Sequence, residues 1–413
     1  MDVVYRCCAG IDVHKERVLV NLRRKGVEGK ANLEEVRTYA TMTRDLLDLC
    51  EWLQSEGCTH IAMESTGVYW KPIYNILGDS FQVILVNARH MKALPGRKSD
   101  VMDCQWIAQL LQHGLLKGSF IPSEPIRQLR DLTRQRRKLV DQRAAAINRI
   151  QKVLEDANIQ LASVASDVTG KSGWAMLTRI VEGETDPTAL ADLALRRLKS
   201  KKPALQRALD GRITDHHRFL LRQHMWQIRF LEQMIGEYEK RIEEIVRPFE
   251  GAIPLLDTIP GINQTAAVAI LAEIGPDMRQ FPDHRHLCSW AGICPGNNES
   301  AGKHKSGVTR KGSKYLRAVL VECAWAASRT KDTYFRAQFR RIASRRGTKR
   351  ALVALAHTML TVVYHVLRDG MIYQELGVDF FDRLNHGRLR SYYVKRLKSL
   401  GYTVEIKEPP TAA

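Results

Sequence analysis

The chain has 413 residues, 64 Lys and Arg against 45 Asp and Glu, and a formal net charge of +19, which suits two or three cored domains and a polyanionic partner. It shows no run of about 18 apolar residues and no signal-peptide pattern, so neither a membrane span nor secretion is expected. Its eight cysteines lack paired CxxC spacing, which argues against a disulfide framework or a zinc site and for reduced thiols in a cytoplasmic protein.

In chain order, period-2 patterning predicts strands over 5–13, 17–22 and 34–41. A leucine stripe (Leu46, Leu47, Leu49, Leu53) predicts a helix over 46–54. Strands at 58–63 and 81–86 flank a short helix at 68–77, and another helix covers 101–116. This βββαβαβα order matches the ribonuclease-H-like fold. Four carboxylates stand on these elements. Asp12 lies inside the apolar run Cys8-Ala-Gly-Ile-Asp-Val13, and Glu64 ends His60-Ile-Ala-Met-Glu64. Asp100 and Asp103 are three apart on the last helix, so they share a face. A carboxylate in a buried strand costs several kcal/mol unless something neutralises it. Oxygen ligands of this kind suit Mg²⁺ or Mn²⁺, and a pair of such ions serves phosphoryl transfer. Taken singly, each acid also reads as a turn former or, for Asp100, a helix N-cap.

Residues 126–150 read as a basic helix. Its polar face carries Arg127, Arg130, Arg134, Arg136, Arg137, Lys138, Arg143 and Arg149, with Asp131 and Asp141 as the local acids, so a phosphate-tracking surface is expected. Residues 155–210 are irregular and suggest no function. From Leu221 to Pro248 a long helix carries an a/d seam (Leu231, Ile235, Tyr238, Ile242, Ile245), which predicts a coiled coil or helical hairpin within or between chains. Residues 254–275 resemble a helix-hairpin-helix, with Gly261 in the tight turn and amides placed for a phosphate. Residues 290–317 are Gly- and Lys-rich without a period, hence a loop. Its cations are Lys303, Lys305, Arg310, Lys311, Lys314 and Arg317, with no acid between Ser300 and Arg317. A hydroxyl among such charges can act as a nucleophile, and Ser300, Ser306 and Ser313 compete for that role.

Five motifs now form a resemblance: Gly10-Ile-Asp-Val-His-Lys15, Met63-Glu-Ser-Thr-Gly67, Lys98-Ser-Asp-Val-Met-Asp103, Ile259-Pro-Gly-Ile262 with Trp290-Ala-Gly-Ile-Cys-Pro295, and Glu299-Ser-Ala-Gly-Lys303. In this order they resemble the IS110 family of insertion-sequence transposases, RNA-guided serine recombinases related to Piv-type DNA invertases. The resemblance implies a Mg²⁺-binding quartet at Asp12, Glu64, Asp100 and Asp103. It also implies a nucleophilic serine in a Ser-Gly-Gly-Lys-like segment, which maps to Ser300, with Ala301 departing from the pattern. Further implications are target and donor DNA, a structured non-coding guide RNA, and composite sites in a homo-oligomer, a dimer or tetramer.

The expected fold class is α/β plus α. A RuvC-like domain covers 1–124, a basic helical and coiled-coil region 125–250, a mainly α transposase domain with the helix-hairpin-helix and serine loop 251–372, and a tail 373–413. A helix over 221–246 would be roughly 39 Å long. Such a spacer could carry Ser300 toward the Asp12 of another protomer. The rival activities are a hydrolytic RuvC-like endonuclease, which needs no serine, and a non-enzymatic nucleic-acid-binding protein.

Overall fold

Apolar side chains alternating along short strands build the first part of the chain. The structure, a computed structural model, describes residues 2–26, 33–65, 67–86, 100–295, 298–300, 303–306, 308–384 and 386–406, with backbone alone for 100–102, 298–300 and 303–306. It divides into two units, Met1–Ile121 and Pro122–Ala413.

The first unit runs β1 (Cys7–Val13), β2 (Arg17–Arg24), β3 (Leu33–Ala40), α1 (Thr43–Ser55), β4 (His60–Glu64), α2 (Trp70–Leu77), β5 (Gln82–Val86) and α3 (Asp100–Gln112). These are the elements expected from the sequence, in order. The last helix stops early, at Gln112, and Gly114 follows at φ +68°. The strands form one mixed sheet in the order β3-β2-β1-β4-β5. Pairs β1–β2 and β2–β3 are antiparallel, whereas β1–β4 and β4–β5 are parallel. Parallel neighbours need crossovers, and α1 and α2 lie in those connections. Ala9, Ile11, Val13, Ile61 and Met63 pack with Leu49 and Leu53 of α1 and Ile73 of α2 on one face. The alternate residues Cys8, Ala62 and Val86 pack with Ile107 and Leu111 of α3 on the other.

The second unit opens with α4 (Glu124–Asp156). Then come α5 (Leu161–Val164), α6 (Lys171–Glu182), α7 (Pro187–Asp192), a 3-10 turn (Arg196–Lys201), α8 (Lys202–Leu209) and α9 (Asp215–Val246). Arg136 pairs with Glu239, and Arg143, seven residues on, pairs with Glu232, seven residues back. The two long helices are therefore antiparallel. Of the expected α9 seam, Leu231 and Ile242 are buried and Ile235, Tyr238 and Ile245 half-buried, and α9 also buries Leu221, Met225, Ile228 and Val246. Whether that seam closed within or between chains was open in the sequence; α9 packs along α4 of the same chain. The segment read as irregular has a core of its own. Leu161, Met176, Leu177, Ile180, Leu190 and Leu205 pack against Ile150 and Leu154 of α4 and Leu221 and Met225 of α9.

The remainder comprises α10 (Ala252–Asp257), α11 (Gln264–Ile274), α12 (His284–Ala291), β6 (Asn298–Ser300), β7 (Lys303–Ser306), α13 (Lys314–Ala327), α14 (Tyr334–Arg346), α15 (Thr348–Asp369), α16 (Phe380–Leu384) and α17 (His386–Ser399). Among the described residues α15 is the one helix long and apolar enough to cross a membrane. It is nonetheless the central helix of this bundle. Ala351, Leu355, Met359, Leu360 and Val363 are buried, and α10, α12, α13 and α14 pack around it.

Candidate active site

Strand register and one glycine assemble the carboxylate face. Gly10 pairs with Ala62 and Ile11 with Met63 across the parallel β1–β4 pair. One step further along that register sets Asp12 beside Glu64. Period-2 parity puts both on the face of Cys8 and Ala62, which α3 covers. Gly10 lets α3 come close. A Cβ there would lie 2.4 Å from the Cys104 carbonyl oxygen and 2.4 Å from the Ala108 nitrogen. Asp103 precedes Cys104 on that helix. Burial pushes the Cys104 thiol up to about 11, and the nearby charges of Asp12 and Asp103 add to the effect. Asp12 is 5% exposed. Asp100 starts α3, but its side chain lies outside the described residues.

Sequence reading missed two polar groups at this face. His14 Nε2 is 2.9 Å from Asp12 Oδ2, and since a carboxylate only accepts, this nitrogen carries the proton. Its position two residues past Asp12, at matching parity, was the available signal. Asn21 pairs with Gly10 across β1–β2, so it shares the face of Gly10 and Asp12. It is fully buried, and its amide oxygen and nitrogen find no hydrogen-bond partner among the described residues. An unmet amide of this kind costs about 1–3 kcal/mol and had no local sequence signal. Among the described residues no three His, Cys, Asp or Glu side chains are gathered closely enough to hold a metal ion. The donors that strand register brings to this face, Asp12 and Glu64, are hard oxygens, a chemistry that fits a divalent cation.

The serine segment was expected to be a loop, and the structure corrects this. It contains an antiparallel pair, β6 with β7, in which Ser300 faces Lys303. Two residues separate them, so Ser300 sits at the hairpin tip. The side chains of Ser300, Lys303, Lys305 and Ser306 lie outside the described residues. The hairpin base is braced. Pro295 bridges Thr309, and the Arg310 amide donates to the Cys294 carbonyl. Gly292 and Gly312 touch so closely that a Cβ on Gly292 would lie 2.6 Å from the Gly312 nitrogen. Arg317 donates to the Gly292 and Arg310 carbonyls, which makes it a brace. Ser313 caps α13 and also donates to Glu273 Oε2 at 2.9 Å. Arg310, Lys311 and Lys314 are exposed.

The basic helix is less free than its local sequence suggested. Arg134 binds Glu273 through two bonds of 2.7 and 2.8 Å and lies over the Tyr315 ring. Arg130 donates to the Ala272 and Glu273 carbonyls, and burial holds its guanidinium below its usual range. Arg136 pairs with Glu239, and Arg137 with Glu322 and Asp141. Acids more than a hundred residues away thus neutralise a face that Asp131 and Asp141 alone could not. Lys138 is exposed, and Arg127 is half-buried. Gly261 (φ +91°) is set by packing. A Cβ there would meet the Cys323 carbonyl oxygen of α13 at 2.5 Å, so the turn between α10 and α11 is pressed onto α13. Asn263 caps α11 through the Ala266 amide.

Comparison with known proteins agrees with this organisation. A family model described as Transposase, for the DEDD domain of the IS110 group, matches residues 9–159. A second, Transposase IS116/IS110/IS902 family, matches residues 253–340. The transposase for insertion sequence element IS1111A of Coxiella burnetii is 25% identical over 318 residues, 75% of this chain and 78% of that protein. A putative transposase, y4pF/y4sB, of Sinorhizobium fredii is 23% identical over 339 residues, 79% of this chain and 78% of that protein. An IS110 element protein of Streptomyces coelicolor is 31% identical over 123 residues, 29% of this chain and 30% of that protein. The first match contains the strand and helix acids, the second contains the braced hairpin, and both carry one family's description: the chain belongs to the IS110 family of transposases, enzymes that act on DNA.

Proposed function

We propose that the chain cuts and rejoins DNA strands through Ser300, assisted by a divalent cation held by Asp12, Glu64, Asp100 and Asp103 on a ribonuclease-H-like, RuvC-like domain. The observation supporting this most directly is the shared face of Asp12 and Glu64 beneath α3, the helix that carries Asp103. Mg²⁺ or Mn²⁺ bound there would stabilise negative charge on phosphate oxygens. Ser300 Oγ attacks phosphorus, and the bond to one nucleoside oxygen breaks. That oxygen leaves as a hydroxyl, taking up the proton that the serine hydroxyl gives up, so the exchange balances. The phosphoserine ester keeps the bond energy, so attack by a second hydroxyl reseals a strand without ATP. His14 orients the Asp12 carboxylate. Arg310, Lys311 and Lys314 hold phosphates near the hairpin, with Lys303 and Lys305 contributing in the same way.

A guide RNA encoded by the element would supply sequence recognition by base pairing, and a homo-oligomer would bring the two DNA partners together in the cytoplasm. RNA copurifying with the protein, once sequenced, tests the guide. Asp12→Asn, Glu64→Gln and Asp103→Asn should each abolish Mg²⁺-dependent strand cleavage while the circular dichroism spectrum stays unchanged. Wild-type cleavage by all three variants would remove the metal reading. Denaturing gels that trap protein-linked DNA test the serine. Cleavage without a covalent adduct would leave a hydrolytic endonuclease, and an adduct through Ser306 would displace Ser300.

A further inference from the structure

We infer that the junction of α14 and α15 is a docking surface for the sugar-phosphate backbone of duplex DNA. From Thr333 to Arg368 the sequence contains no Asp or Glu. Gly347, at φ +81°, ends α14 and caps α15 at once. Arg345, Arg346, Lys349 and Arg350 therefore crowd around a single turn residue, with Arg340 five residues before Arg345 on α14. All five are exposed, and no carboxylate within the described residues pairs with any of them.

Helix electrostatics accounts for only half of this cluster. Cations in the last turn of a helix stabilise it, which covers Arg345 and Arg346. Lys349 and Arg350 stand in the first turn of α15, where the same dipole repels cations. No side chain caps that end of α15. Its first N–H groups and the four cations together favour an anion at this turn. Trp325 of α13, 40% exposed, lies edge-on to Phe339 of α14 with the Arg329 guanidinium 4.6 Å from its ring, which adds a further cation beside α14. Arg134, Arg136 and Arg137 of α4, by contrast, already hold carboxylates.

The inference rests on the reading that the chain works on DNA. It is tested by a measurement that needs no chemistry. The full-length protein is titrated with a short DNA duplex, and separately with an RNA duplex of equal length, in EDTA from about 50 to 200 mM salt. Two double variants are compared, Arg345→Gln with Arg346→Gln and Lys349→Gln with Arg350→Gln. Each lost phosphate contact should reduce the slope of log affinity against log salt by roughly 0.9, so each double variant should lose between one and two units on DNA. The Lys349/Arg350 variant should melt no lower than the wild type, because it removes a repulsive pair. That result separates lost contacts from a lost fold. Arg136→Gln, which frees no phosphate ligand, should leave the slope unchanged. An unchanged slope in both folded double variants overturns the surface. A loss confined to RNA overturns the choice of DNA. Since no divalent ion is present, failure of the carboxylate reading would leave this outcome intact, and the reverse also holds.

Discussion

Gly10→Ala tests how a packing contact sets catalytic geometry. The added Cβ would lie 2.4 Å from both the Ala108 nitrogen and the Cys104 carbonyl oxygen, and 2.9 Å from the Ala108 Cα. These are backbone atoms in mid-helix, so no side chain can swing aside. Ordinary contact begins near 3.4 Å, so α3 must retreat from β1 by about 1 Å. Overpacking of this kind costs about 1–3 kcal/mol. The same shift carries Asp103 away from Asp12 and Glu64, and a 1 Å misplacement at a reacting centre costs on the order of 10²-fold in rate. Urea denaturation followed by tryptophan fluorescence should show the modest loss of stability. Mg²⁺-dependent strand cleavage, assayed where the variant is fully folded, should show the larger loss of rate. Wild-type stability together with wild-type cleavage would refute the close contact of α3 with β1. Lost stability with unchanged cleavage would refute the link from that contact to the carboxylates.

The Glu273 side chain is 3% exposed and holds Arg134. Glu273→Ala should destabilise the second unit by about 3–5 kcal/mol, seen as a lower urea midpoint, and pairing Glu273→Leu with Arg134→Met should restore most of the loss. A third expectation concerns pH. Burial holds His357 and His365 below the usual imidazole range, with His284 and, for His365, Arg368 adding repulsion against the opposing pull of Asp369. Their neutral forms belong to the fold, so their contribution is complete above about pH 6.5 and is lost as pH falls toward the depressed native values. The melting temperature should therefore drop between pH 7 and 5, and the drop should shrink in His357→Asn; an equal drop in that variant would assign the effect elsewhere.

Local pattern was enough to place the sheet and its acids. Alternation in Cys8-Ala-Gly-Ile-Asp-Val13 and His60-Ile-Ala-Met-Glu64 determines which residues share a face, because side chains in a strand repeat every two positions. The Leu231–Ile245 seam likewise declared a long packed helix. Local pattern could not say what meets the other side of an element. The arginines of α4 looked uncompensated because Glu239, Glu273 and Glu322 are distant in sequence and arrive only through helix packing. The 155–210 segment looked irregular because Gly170, Gly173, Gly183, Pro187 and Pro203 interrupt it, and its short helices share a core only when gathered against α4 and α9. The glycine of Ile259-Pro-Gly-Ile262 suggested a phosphate turn, yet its contact is with α13. Charge neutralisation and close backbone approach are properties of pairs of elements. Tertiary packing decided that Arg134, Arg136 and Arg137 meet an acid, whereas Arg345, Arg346, Lys349 and Arg350 pair with none among the described residues.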